Sequence, residues 1–378
     1  MQTELTKMFG LEYPVCGFSH SPKVVIALSA AGGLGVLGTA RFSPRQIDIE
    51  LTKIDAALQG RPYGVTIIFP ASTGEDVPMD PESLAREIPN EYRDYVRGLA
   101  RRFNLPLDES DTYNESTEGV LAAFPLTRDH ALAVLEVVHK HPVALVSSAI
   151  GAPPKDEVDH LHAKDVKVGG QVGDPKHVKR HLDAGVDLIV ATGTEAGGHT
   201  GDIASLVLTP QVVNVARGVP VLAAGGIGTG RQVTAARALG AEGVWMGSAW
   251  LVSEESDLPQ MLKQKLLAAR SADTVRSRCL SGRTARQLRT PWVDAWEEPD
   301  ALNPLPAPYQ TILVKDAQAE MLKPGHDNVI GTPVGQIVGE MNSIRPVKDL
   351  LAEMMTDSVT AAERVNAAFV DDLSVSRA

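Results

Sequence analysis

Short apolar runs, most of them rich in β-branched residues and ending in Gly, Ser or Thr, alternate along the chain with stretches of helical periodicity. Runs of that kind between helices read as parallel strands buried on both faces. Eight occur, at residues 13–17, 35–38, 63–69, 144–148, 166–171, 188–192, 219–224 and 243–246. Helical patterns fill the intervals, among them 22–31, 129–141, 175–184 and 231–239. Pro22 and Pro175 stand at helix starts and Gly240 just past a helix end, where each residue type is favoured. Eight strands with helices between them predict an α/β fold, a (β/α)8 TIM barrel rather than an open doubly wound sheet.

Two stretches exceed the barrel period. Residues 71–128 separate the third and fourth strands and carry several prolines and many charges. Helical spacing over 84–103 makes this a partly helical excursion, and its start at a strand's C-terminal end puts it over the active-site face. The tail from residue 251 onward holds a Pro-rich connector (Pro299, Pro304, Pro306, Pro308) and apolar helical patterns such as 346–355. The expected division is 1–70 with 129–252 as the barrel, 71–128 as the excursion and 253–378 as a mainly helical C-terminal extension.

Composition narrows the class. The 378 residues carry 36 Lys+Arg against 47 Asp+Glu, a net charge of −11. That balance argues against nucleic acid as a partner, because phosphate contacts need clustered cations. Cys16 and Cys279 are too few and too scattered for a disulfide framework or a zinc site. His139, His141, His160, His162, His177 and His181 lack metal-ligand grouping; they read as solvated helix faces, and no metal is expected. No apolar run is long enough to span a bilayer, and the N-terminus has no basic, then apolar, leader. The expectation is a cytoplasmic enzyme without membrane contact, whose apolar tail helices permit a homodimer without requiring one.

Candidate chemistry gathers at three strand ends. Residues 219–230, VPVLAAGGIGTG, run from a strand through Gly225 and Gly226 into a helix, and 243–251 run from a strand into Gly247 and Ser248. As the last two strands of a barrel these ends suit a phosphate. Glycines let it approach backbone N–H groups and a helix N-terminus, and Ser248 adds a hydroxyl. The third is 191–201, ATGTEAGGHTG. His199, set among glycines after a strand, is badly placed for a core and well placed to face a ligand, and imidazole suits proton transfer near neutral pH. Glu195 reads equally as a polar contact or a solvated carboxylate. Residues 33–38 satisfy G-x-G-x-x-G but lead from a helix into a strand, the reverse of the dinucleotide-binding order, and read as a helix stop.

Taken together, 191–201, AAGGIGTGRQV (223–233) and GVWMGSAWL (243–251) resemble the nitronate monooxygenase family, also called 2-nitropropane dioxygenases. ALSAAGGLGVLG (27–38) and PYGVTIIFP (62–70) match it too, in the same order. The likeness covers residues 11–252 and, more weakly, 335–340. It implies an FMN-binding TIM barrel with the phosphate on Gly225, Gly226, Gly247 and Ser248 and the isoalloxazine ring near Cys16 and Gly17. It further implies that Gln171 and Gly198 line the flavin and that His199 is the catalytic residue. The chain departs from the family at 15–20, VCGFSH, where an Ala-Pro-Met type stretch is common, and at Thr66, where Asn is common. Both positions would lie beside the ring and bear on redox tuning and substrate preference.

Other side chains are given plainer roles. Cys16 is expected as a small residue facing the ring, with neither a partner Cys nor a basic neighbour to make it a redox thiol. His20 is expected on the surface at a helix entry, with contact to flavin or substrate as the alternative, and Trp245 and Trp250 in packing. The reaction implied is oxidation of a nitronate, or of a nitroalkane deprotonated by His199, with O2 as second substrate, to a carbonyl compound and nitrite. The alternative is an FMN-dependent NAD(P)H:quinone or enoyl-thioester reductase, which the same fold supports and the large excursion and tail could accommodate.

Overall fold

The computed structural model describes residues 1–69, 81–107 and 128–375. Its first nine strands are β1 (Val15–Ser19), β2 (Leu34–Gly38), β3 (Gly64–Ile67), β4 (Leu145–Ser148), β5 (Lys167–Val172), β6 (Leu188–Thr192), β7 (Gly198–His199), β8 (Val221–Ala224) and β9 (Gly243–Met246). All but β7 pair in parallel and close into one barrel in the order β1-β2-β3-β4-β5-β6-β8-β9. These eight are the runs predicted from the apolar pattern, with ends shifted by a few residues.

Both faces of each strand are buried, which is why the runs are apolar rather than alternating. Leu34, Val36, Leu145, Leu188, Val190, Leu222 and Trp245 fill the barrel interior. Leu37, Val65, Ile67, Val146, Val168, Ile189 and Val221 face the surrounding helices. The helix Pro44–Leu58 illustrates how those helices are specified. Ser43 and Gln46 form a capping box at its start, and Ile47, Leu51, Ile54 and Leu58 make one apolar stripe. At the strands' N-terminal end the helix Glu4–Phe9, capped by Thr3, inserts Leu5 and Phe9 against the interior residues.

Of these histidines, His141 and His181 depart furthest from a reading as solvated helix faces. His141 bridges Asp55 and Asp48, with Nδ1 2.6 Å from Asp55 Oδ2 and Nε2 3.1 Å from Asp48 Oδ1. The Tyr63 hydroxyl donates to the other Asp55 oxygen at 2.6 Å. His181 is fully buried behind β5, in the space that Gly170 leaves by lacking a side chain.

The tail is not all helix. β10 (Thr274–Ser277) and β11 (Ala285–Leu288) form an antiparallel hairpin, and β11 takes β7 as the third strand of that sheet. The helix Val347–Val375 crosses the helix Gly230–Ala238 so closely that a Cβ on Gly230 would lie 2.0 Å from the Met354 carbonyl oxygen. The helix Asn90–Arg102, within the predicted excursion, packs on the tail through Val96, Leu99, Trp292, Trp296 and Val314. Its Tyr95 hydroxyl donates to the Ala295 carbonyl at 2.8 Å. Much of the excursion, at 70–80 and 108–127, falls outside the described residues.

Candidate active site

The C-terminal ends of the strands carry the chemistry. After β8 the chain turns through Gly225 (φ +100°) and Gly226 (φ +70°), conformations that a Cβ strains. The helix Gly230–Ala238 follows, its first turn held by the Thr229–Gln232 capping box. Next to it, β9 runs into Gly247 and Ser248. Among the described residues, no hydrogen bond of the fold engages the amide N–H groups of Gly225, Gly226, Gly247 and Ser248. Ser248 Oγ accepts the Gly335 N–H at 2.9 Å and so keeps its own proton to give. Free donors on adjacent loops beside a helix N-terminus make an anion site.

Inside the mouth, strand alternation turns Thr66, Ser147, Gln171 and Thr192 inward from β3, β4, β5 and β6. Thr66 Oγ1, Ser147 Oγ and Thr192 Oγ1 are buried without a partner among the described residues. Each such hydroxyl costs roughly 1–3 kcal/mol unless something satisfies it. Three of them around one mouth, next to an anion site, fit an elongated ligand with a phosphate at one end and a polar body at the other.

Cys16 points into the barrel one step deeper, paired in register with Leu34 and Trp245. Burial pushes its thiol well above the ordinary range, so it is no thiolate. Gly17 turns the other way: a Cβ there would meet Leu28 Cδ1 at 2.2 Å. Its bareness serves helix packing, and only its backbone borders the interior.

His20 is partly buried. Its Nδ1–H donates to the Gly38 carbonyl at 2.9 Å, and its ring stands edge-on to Phe18 with centroids 5.1 Å apart. A Cβ on Gly38 would come within 2.6 Å of the ring, so the glycine ending β2 makes the room. Burial, with the Arg41 charge added, holds His20 down to about 4.

His199 lies in β7, opposite Ala285 of β11. Gly198 before it has φ +81° with nothing near its Cβ position, so backbone conformation alone calls for glycine there. His199 Nε2 is 2.9 Å from Ser281 Oγ. Burial first, then the Arg283 charge, hold the imidazole down to about 4, so it is neutral at pH 7. Glu195 is not a solvated carboxylate; its polar contact is within the fold. Its carboxylate accepts the Ser205 N–H at 2.9 Å and the Ser205 hydroxyl at 2.9 Å, tying down the start of the helix Ser205–Val215.

A strap from the tail, residues 334–337, joins these parts. Gln336 N–H donates to the Glu195 carbonyl at 2.9 Å. A Cβ on Gly197 would lie 2.8 Å from Gly335 N, and one on Gly228 would lie 2.4 Å from Ile337 Cγ1. The strap therefore touches the His199 loop and both glycine loops. Ser281, Ser147 and the strap's close backbone contacts escape a reading by motif.

Residues 2–357 match the nitronate monooxygenase family. The chain belongs to that family. A Mycobacterium tuberculosis protein named as a putative monooxygenase is 42% identical over 372 residues, 95% of this chain and 97% of its own. Among solved structures, the nitroalkane oxidase from Streptomyces ansochromogenes is similar with a TM-score of 0.79 and 26% identity, over 96% of this chain and 99% of that one. FabK from Thermotoga maritima is similar with a TM-score of 0.73 and 25% identity, over 97% and 99%. This member of the nitronate monooxygenase family is thus a TIM-barrel oxidoreductase. Among its described residues no helix is long and apolar enough to cross a membrane, and no cluster of His, Cys, Asp and Glu could hold a metal.

Proposed function

We propose that this enzyme uses FMN and O2 to oxidise nitronates, and nitroalkanes that His199 deprotonates, to carbonyl compounds and nitrite. The observation that carries the reading is His199 itself: a neutral imidazole, tied by a hydrogen bond to Ser281, on a loop strapped to the anion site. FMN suits the residues present. Gly225, Gly226, Gly247 and Ser248 would hold its phosphate. Gln171, Thr66 and Thr192 would meet its polar ring edges, with Gly198, Gly17 and Cys16 bordering the ring. When bound, FMN supplies the electron-transfer chemistry that no side chain has.

The chain's own residues do the rest. His199 takes the proton from the carbon bearing the nitro group, which a protonated imidazole could not do. The Arg283 charge that disfavours the imidazolium also favours the anion left on the substrate. A substrate supplied as its nitronate needs no such transfer. Glu195 and the strap hold the His199 loop against the anion site, which fixes the base relative to the cofactor.

The test is a visible spectrum of the purified protein, followed by separate anaerobic additions of NADH, NADPH and propionate 3-nitronate. Bleaching by the nitronate alone supports the proposal. Bleaching by a nicotinamide overturns it in favour of a quinone or enoyl-thioester reductase, which the same fold supports. A colourless protein that takes up no added FMN overturns both. His199→Asn is expected to keep FMN and lose turnover of the neutral nitroalkane.

A further inference from the structure

The first strand runs out into a histidine that the proposed reaction does not use. Ser19 pairs with Leu37, and Thr66 with both Gly38 and Ser147, so one row across β1 to β4 reads His20, Gly38, Thr66, Ser147. That row faces the barrel mouth. A Cβ on Gly38 would lie 2.7 Å from Phe18 Cζ, and Phe18 packs on the interior residues. The His20 ring fills the place that Gly38 leaves bare, with Nδ1 2.9 Å from the Gly38 carbonyl oxygen.

A carbonyl only accepts, so Nδ1 of the neutral ring carries the proton and Nε2 the lone pair. Nε2 has no hydrogen-bond partner among the described residues, and it is not sealed in as the hydroxyls of Thr66 and Ser147 are. It opens toward the mouth. Arg41 stands close by, on the turn Thr39–Arg41, which the Thr39 hydroxyl fastens to the Thr66 carbonyl at 2.8 Å. Its charge reaches His20, and its guanidinium has no hydrogen bond or ion pair among the described residues.

A lone pair on a neutral ring and a cation with N–H groups to give thus stand side by side. A hydroxyl serves both, donating to Nε2 and accepting from the guanidinium. A carboxylate turns its own lone pairs on Nε2, and an alkyl group leaves both partners unmet. The flavin ring edge offers a single N–H, and the Gln171 amide oxygen can take it from β5, four strands round the barrel from β1 and so across the mouth. The acceptor on the β1 side is left for the substrate.

We propose that His20 is a specificity-determining residue whose Nε2 accepts a hydrogen bond from a hydroxyl on the substrate, so that the enzyme favours hydroxylated nitronates over plain alkyl ones. The proposal rests on the nitronate reading of the site.

The test gives the FMN-loaded enzyme the nitronates of 3-nitro-1-propanol and 1-nitrobutane, which match in length and differ by a hydroxyl in place of a methyl. Neither needs a proton removed by His199. Native kcat/KM is expected to be about 10-fold higher for the hydroxylated nitronate. In His20→Phe, which keeps a ring in the niche without an acceptor, the ratio should fall to about 1. In His20→Gln, whose amide oxygen can stand where Nε2 stood, it should recover in part. FMN affinity, read by quenching of flavin fluorescence on titration with protein, should hold in His20→Phe. A native ratio near 1 with brisk turnover overturns the proposal alone, as does a ratio that survives in His20→Phe. A loss of FMN affinity in His20→Phe as large as the loss of the ratio puts the ring on the cofactor and also overturns it. If neither nitronate is turned over, the nitronate reading falls and takes the proposal with it.

Discussion

His181 makes the fold sensitive to acid from the outer face of the barrel wall. It lies on the helix Val178–Ala184, fully buried against β5, where a Cβ on Gly170 would come within 2.0 Å of its Nδ1. Neither ring nitrogen has a partner among the described residues. Burial, helped by the Arg180 and His177 charges, holds it down to about 4, while in the unfolded chain it titrates near 6.5. Between those values the unfolded chain binds a proton that the folded chain does not, so stability is complete above 6.5 and falls as pH drops. At about 1.4 kcal/mol per pH unit the full window is worth about 3 kcal/mol, and about 2 kcal/mol is lost by pH 5. His181→Leu removes the titration and both orphan nitrogens at similar volume. Urea midpoints at pH 7.5 and 5 are expected to fall further for the native protein, by about 2 kcal/mol, than for the variant. The variant should be no less stable at pH 7.5. His20 and His199 are held near the same value but are present in both proteins, and their contributions cancel. Parallel pH dependences in the two proteins would mean that His181 takes up no proton on unfolding in this window.

Three further outcomes are expected. Because His199 is held near 4, kcat/KM on a nitroalkane should stay flat down to about pH 5 and fall below it; a fall centred near 6.5 would mean an unperturbed imidazole. His141→Ala strips Asp55 of a partner at the end of the barrel away from the site, and should cost roughly 1–3 kcal/mol in denaturant titration while kcat stays unchanged. Gly230→Ala places a methyl 2.2 Å from Ser358 N, on backbone that cannot rotate away, and should lower stability by roughly 1–3 kcal/mol. Limited proteolysis should then release the helix Val347–Val375 at lower temperature than in the native protein.

The barrel is legible in the sequence because its strands are short apolar runs, most of them closed by a small residue, a pattern that local sequence carries whole. The glycines at 225 and 226 announce a cradle for the same reason, since their left-handed backbone is a property of the residue. Features that local sequence does not carry depend on distant partners. His20 and His181 defy a reading as exposed residues because the room for each comes from a glycine elsewhere, Gly38 and Gly170. Ser281 sits in an unremarkable SGRT stretch and acquires meaning only when β11 pairs with a strand of two residues. Glu195 reads either way from its loop, and only the helix ten residues on, whose start it holds, decides the matter. Periodicity says nothing about such pairings.

The strap also bears on how the molecule comes into being. The Ser248 hydroxyl waits for a backbone amide 87 residues further along, and the His199 imidazole for a hydroxyl 82 residues further along. A ribosome must therefore finish the entire barrel and most of the tail before the site can be completed. Until residue 335 has emerged, the histidine loop lacks its contacts with the strap. Arrival of the strap, rather than closure of the barrel, is the step that joins the glycine loops to the histidine loop.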